Sequence, residues 1–77
     1  MKIELEYVSF LDLEDVENNS IIEIEDNLTV RQLLGQFGLS QPGINHIKPF
    51  INSEESSLNS NLTDGDRLFL YLPAGGG

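Results

Sequence analysis

Polar and apolar residues alternate with a period of two at the start of the chain, where Lys2 to Tyr7 reads K-I-E-L-E-Y. That spacing puts Ile3, Leu5 and Tyr7 on one side and Lys2, Glu4 and Glu6 on the other, and so predicts a half-buried strand. The segment Leu11 to Asn19 is acidic and closes on Asn18-Asn19, a turn signal. Alternation then resumes from Ser20 to Glu25, with Ile22 and Ile24 opposite Glu23 and Glu25. Two strands of this kind joined by a loop predict a hairpin.

A different period follows. Val30, Leu33, Leu34 and Phe37 fall at i, i+3, i+4 and i+7, the stripe of an amphipathic helix that must lie on a sheet to leave water. Thr29 is the predicted N-cap, Gln32 completes a capping box, and Gly38 is the stop. Pro42-Gly43 reads as a turn. Ile47 to Ile51 reads as a strand at a sheet edge, because Pro49 has no N–H to give a ladder. Asn52 to Asn61, rich in Ser, Asn and Glu, reads as a polar loop.

After the turn Asp64-Gly65-Asp66 comes the last strand, Arg67 to Leu72. Arg67 is costly to bury unpaired, which sets the parity: Leu68, Leu70 and Leu72 face inward, while Arg67, Phe69 and Tyr71 face outward. Leu72 precedes Pro73 and is therefore held extended, so the tail continues the strand away from the sheet. The order strand, strand, helix, strand, strand is an α+β layout with one helix covering one face of a mixed sheet.

Composition narrows the function. A chain of 77 residues supports one small core and leaves no room for a deep enzyme cleft. The absence of cysteine removes disulfides, thiolate metal sites and a cysteine nucleophile. Four basic residues against 13 acidic give a net charge of -9, which repels nucleic acid and anionic lipid and favours basic protein surfaces. The N-terminus lacks the apolar centre of a secretory signal, and the expected location is cytoplasmic. The sole histidine, His46, has no nucleophile pattern around it and reads as a surface or edge-strand residue. Asp64-Gly65-Asp66 lacks the further ligands of a calcium loop, and Glu14, Asp15 and Glu17 read as a solvated acidic loop, so no metal site is expected.

The end of the chain carries more information. Three consecutive glycines at a chosen position arise by chance about once in a few thousand at ordinary glycine usage. Lacking Cβ, such a tail threads a slot too narrow for side chains. It delivers the Gly77 carboxylate, an unreactive acyl donor until another enzyme activates it, most simply as an acyl-adenylate made from ATP.

The stretch LTDGDRLFLYLPAGGG, Leu62 to Gly77, resembles the end of the small sulfur-carrier proteins typified by the small subunit of molybdopterin synthase and the thiamine-biosynthesis sulfur carrier. Those proteins share a Leu-x-Asp-Gly-Asp turn, an apolar strand, a proline and a terminal Gly-Gly. The helix TVRQLLGQFG is also similar to the family's first helix. The resemblance implies the ubiquitin-like β-grasp fold, here a domain over residues 1–72 followed by a flexible tail over 73–77. It implies that Gly77, with Gly76, is the site of adenylation and thiocarboxylate formation, and that Gly75, Ala74 and Pro73 thread the partner's active site. The protein itself is then a cosubstrate that binds no cofactor, or the small subunit of a sulfur-transfer synthase. Its implied partners are an adenylating enzyme related to ubiquitin-activating enzymes, a sulfur donor protein and an acceptor synthase subunit.

The outward face gives those partners a place to dock. Glu4, Glu6, Glu23 and Glu25 are expected there as mutually repelling neighbours, beside Arg67, Phe69 and Tyr71. From that face Pro73 to Gly77 reach on the order of 17 Å at ~3.4 Å per residue. The same fold and tail suit a ubiquitin-like modifier that ends in an amide bond to a lysine.

Overall fold

The computed structural model describes residues 1–8, 11, 13 and 16–73. Among these residues the elements run β1 (Lys2–Tyr7), β2 (Ser20–Glu23), α1 (Val30–Gln36), α2 (Gln41–Ile44), β3 (Lys48–Ile51), β4 (Glu54–Glu55) and β5 (Arg67–Tyr71). The strands form one mixed sheet in the order β2-β1-β5-β3-β4. β1 and β5 are parallel at its centre, and the other pairs are antiparallel.

The predicted hairpin is present, pairing Ile3 with Ile22 and Glu4 with Ile21. Asn18 explains why the turn signal sits where it does. Its side chain accepts from the Tyr7 backbone N–H at 2.8 Å and donates to the Tyr7 carbonyl at 2.6 Å, acting as one more rung of the ladder. Asn19 follows at φ +57°, a left-handed position that asparagine tolerates better than most residues.

The helix forms as its caps dictate. The Gln32 backbone N–H donates to Thr29 Oγ1 at 3.2 Å, and Gln32 Oε1 accepts from the Thr29 N–H at 2.9 Å. Gly38, at φ +88°, ends the helix in the left-handed conformation where side chains are costly. Val30, Leu33 and Leu34 are fully buried against Ile3 and Leu5 of β1 and Leu68 and Leu70 of β5. Each such side chain contributes roughly 1.5–3 kcal/mol of burial.

Several expectations need correction. Pro42-Gly43 is not a simple turn but part of α2, a single helical turn begun by Ser40. Proline is pre-organised for a helix start, and the turn delivers Ile44 into the core. β3 is not an edge strand: it lies between β5 and β4. Its proline is tolerated because Pro49 meets Leu70 at a position where its missing N–H faces away from β5, on the side where its carbonyl accepts from the Ser56 N–H at 2.9 Å just beyond the end of β4. The polar loop after β3 contains β4, reached through Asn52 and Ser53, both at positive φ, the conformation of a tight hairpin turn.

Candidate functional site: the outer face of the sheet

The helix covers one face of the sheet and leaves the other to solvent. On β5 this parity is sharp. Leu68 and Leu70 are 0% exposed, whereas Tyr71 is 40% exposed and Phe69 is half-buried on the opposite side. The orientation expected from Arg67 therefore holds.

The strand registers arrange the outward side chains in rows. Ile21, Glu4 and Arg67 form one row, because β2 pairs Ile21 with Glu4 and β1 pairs Glu4 with Arg67. Glu6, Phe69, Phe50 and Glu55 form the next, and Tyr71 with Lys48 the third, beside the point where the chain leaves the sheet. Phe50 and Phe69 have ring centroids 6.1 Å apart at 50°, within the range of favourable aromatic contact. A shallow groove of about 400 Å³ runs along them, lined also by Glu6, Ser53 and Arg67.

The expected crowd of like charges is not what the registers produce. Arg67 Nε donates to Glu4 Oε2 at 3.1 Å, Lys2 sits directly across from Glu23, and Glu25 lies beyond the end of β2. Lys48 Nζ is 3.3 Å from Glu55 Oε2. Exposed pairs of this kind contribute about 0–1 kcal/mol. They rim an aromatic strip with mixed charge instead of repelling one another across it.

Two members of this face were not singled out from sequence. Phe50 could have been placed by the parity argument used for Arg67, since Lys48 two residues earlier must also face solvent. Ile21 lay in plain view as an apolar residue on the glutamate side of its strand, and it is 68% exposed.

The base of the face is held by the Asp64-Gly65-Asp66 turn. Asp64 Oδ1 accepts from the Lys2 N–H at 2.8 Å, the Gly65 N–H donates to the Lys2 carbonyl at 2.8 Å, and the Glu4 N–H donates to the Asp66 carbonyl at 2.9 Å. The Asp66 carboxylate is buried and accepts from the Thr63 N–H at 2.8 Å, Thr63 Oγ1 at 2.9 Å and Asn52 Nδ2 at 3.0 Å. Burial pushes this carboxyl up, but the hydrogen bonds from Thr63 and Asn52 together outweigh it, leaving Asp66 below its ordinary value. Asn52 Oδ1 also accepts from the Arg67 N–H at 3.0 Å. Both aspartates of the motif are thus spent on tying β1, β3 and β5 together.

Pro73, two residues beyond β5, is exposed. Ala74, Gly75, Gly76 and Gly77, with Glu14 and Asp15 of the first loop, lie outside the described residues. His46 is exposed in the connection between α2 and β3, on the surface and outside any strand. No helix among the described residues is long and apolar enough to cross a membrane.

No family model matches the sequence, and no curated protein does. Among solved structures, the chain is similar to SAMP1 from Haloferax volcanii. The likeness has a TM-score of 0.64 and 24% identity and covers 100% of each chain. It is a likeness of fold: this chain has the ubiquitin-like β-grasp.

Proposed function

We propose that this protein is a sulfur carrier that docks on an adenylating enzyme through Phe69, Phe50 and Tyr71 and presents Gly77 to it. The observation that carries the reading is the aromatic strip on the outer face, which ends at Tyr71, two residues from Pro73 where the Gly-rich tail begins. Docking there buries side chains that the fold itself leaves in water. It also sets the tail on a path into the partner.

The Gly77 carboxylate oxygen attacks the α-phosphorus of ATP on the partner, and pyrophosphate leaves. A thiol reduces the persulfide of a donor protein to a disulfide and releases hydrosulfide, which adds to the acyl carbon and expels AMP, leaving a thiocarboxylate. That sulfur is passed on in cofactor or metabolite biosynthesis of the molybdopterin or thiamine type. This chain supplies no catalytic side chain to these steps and binds no cofactor. Its contribution is the threadable end and the docking face, and the net charge of -9 speeds encounter with a basic partner by roughly 10- to 1000-fold.

A second reading has its own support. SAMP1 is a ubiquitin-like small archaeal modifier protein, and the same adenylate can be resolved by a lysine amine to give an amide bond. Intact mass separates the two. After incubation with ATP, a sulfur donor and the adenylating enzyme of its own source, the carrier reading expects one oxygen exchanged for sulfur at the terminal peptide. The exchange should be absent from a chain lacking Gly77. An unchanged mass together with conjugates on target lysines selects the modifier.

A further inference from the structure

Charge is distributed unevenly along the chain. The protein has 13 acidic residues, yet none falls between Asp26 and Glu54, and Ser56 to Thr63 is also without acids. Folding brings these two stretches together on the helix side of the sheet. The Val30 N–H donates to the Ser60 carbonyl at 3.1 Å and the Arg31 N–H to the Leu58 carbonyl at 2.8 Å, which fastens the start of α1 to the loop ahead of β5, and α2 packs beside α1.

Arg31 stands at this junction, half-buried, and side-chain oxygens from α2 and from the loop hold its guanidinium. Nη1 donates to Gln41 Oε1 at 2.7 Å and to Asn45 Oδ1 at 2.8 Å, and Nε donates to Asn59 Oδ1 at 3.4 Å. Gln41 and Asn45 reach the same nitrogen because they lie one helical turn apart. Asn59 is set by its own loop, where its N–H donates to Ser57 Oγ at 3.0 Å. Arginine only donates, so all three amides turn their oxygens toward it. The other cations are matched differently: Arg67 and Lys48 each meet a carboxylate, and Lys2 lies across from Glu23. Among the described residues Arg31 forms no ion pair and its Nη2 has no partner. Its guanidinium is fixed in place while its charge stays uncompensated.

We infer that Arg31 is a docking point for a single carboxylate, an Asp or Glu side chain of a partner protein set among uncharged residues. The long bond to Asn59 yields readily, and Nε and Nη2 then offer two parallel N–H groups to the two oxygens of a carboxylate. Because the amides hold the side chain in advance, less rotamer freedom is lost when the partner arrives. The surroundings set the rest of the preference. A run of acids or a phosphate would be repelled by the net charge of -9, whereas the surface next to Arg31 carries only amides and hydroxyls, such as Gln32, Ser40, Gln41 and Asn45. The site is on the opposite side of the sheet from the Phe69 and Tyr71 strip, so one partner can hold the protein here while another receives the tail. It does not depend on what the tail delivers.

The test titrates the isotope-labelled full chain with the peptide Ser-Asn-Gly-Glu-Gly-Asn-Ser, blocked at both ends, and with versions carrying Gln or phosphoserine in place of Glu. The Glu peptide should shift the Arg31 Nε–H resonance and the side-chain NH2 resonances of Gln41, Asn45 and Asn59. It should bind roughly 3- to 10-fold more tightly than the Gln peptide, and more tightly than the phosphoserine peptide. Arg31→Gln, which removes the guanidinium, should make the Glu and Gln peptides bind alike; a purely structural role for Arg31 predicts no such loss of preference. The inference is overturned if wild type does not prefer Glu over Gln, if the preference survives in Arg31→Gln, if the phosphoserine peptide binds best, or if the shifts fall on Phe69 and Tyr71. The wild-type comparison of the three peptides keeps it testable should Arg31→Gln fail to fold.

Discussion

Leu70 and Tyr71 are neighbours on one strand, yet they answer to different requirements. Leu70 is fully buried in the core cluster that also holds Leu5, Leu33 and Leu68, where close packing constrains its size and shape. Tyr71 stands 40% exposed on the other side, where nothing in the fold calls for an aromatic ring. The inner face of β5 is explained by stability. The outer face is not, and its exposed aromatic residues are what the proposed docking of a partner would use. A large apolar side chain therefore carries functional information when the fold does not require it.

Substitutions should separate the two faces cleanly. Leu70→Ala is expected to cost about 2–5 kcal/mol, the range for truncating a large aliphatic side chain in a packed core. In a domain whose total stability is of order 5–15 kcal/mol this approaches unfolding, and urea denaturation would show it. Should Leu70→Ala be as mild as Tyr71→Ala, the contrast between the faces would collapse.

Asp66 sharpens the comparison, since it is polar and yet belongs to the framework. Asp66→Ala should cost roughly 1–3 kcal/mol, because it strands the donors of Thr63 and Asn52. The wild-type advantage has a defined pH dependence. The folded-state value of Asp66 lies below its ordinary value of 3.8, so its contribution is present in full above that value and is lost as pH falls through the lowered one. The difference between wild type and Asp66→Ala should be flat near neutrality and shrink on the acid limb. A gap that widened toward low pH would mean that burial, and not hydrogen bonding, governs this carboxyl.

The smallest effect is expected at Ser53. It holds φ +72° in the turn between β3 and β4, a conformation that glycine adopts without strain. Ser53→Gly should raise stability by about 0.5 kcal/mol, with the strain relieved partly offset by the greater freedom of glycine in the unfolded chain. It should leave partner binding alone even though Ser53 borders the outer groove, unless that groove is used more widely than the aromatic strip.

Much of this was legible in the sequence, for physical reasons. Period-two and period-3.6 patterns predicted β1, β2, α1 and β5, and the capping box and Gly38 marked both ends of the helix. Arg67 fixed which side of β5 is buried. What escaped prediction was set by partners distant in sequence. The pairing of Arg67 with Glu4 and the position of Lys2 across from Glu23 depend on strand registers that no local pattern reveals. Pro49 by itself predicts an edge strand, but the two-residue β4 flanks the next positions and makes β3 an inner strand. The Asp64-Gly65-Asp66 turn was recognised as a turn, but its role as the bolt between β1, β3 and β5 depends on Lys2, Glu4, Thr63 and Asn52 arriving together.

The proposed docking of the outer face on the enzyme that activates Gly77 is open to direct measurement. ATP–pyrophosphate exchange by the adenylating enzyme of the protein's own source, followed as a function of carrier concentration, tests it most directly. Tyr71→Ala and Phe69→Ala, each shown to be folded, should raise KM for the carrier at least about tenfold, a loss of roughly 1.4 kcal/mol of binding, while kcat stays near wild type. A chain lacking Gly77 should support no exchange. An unchanged KM for both variants, or exchange that persists without Gly77, would contradict it.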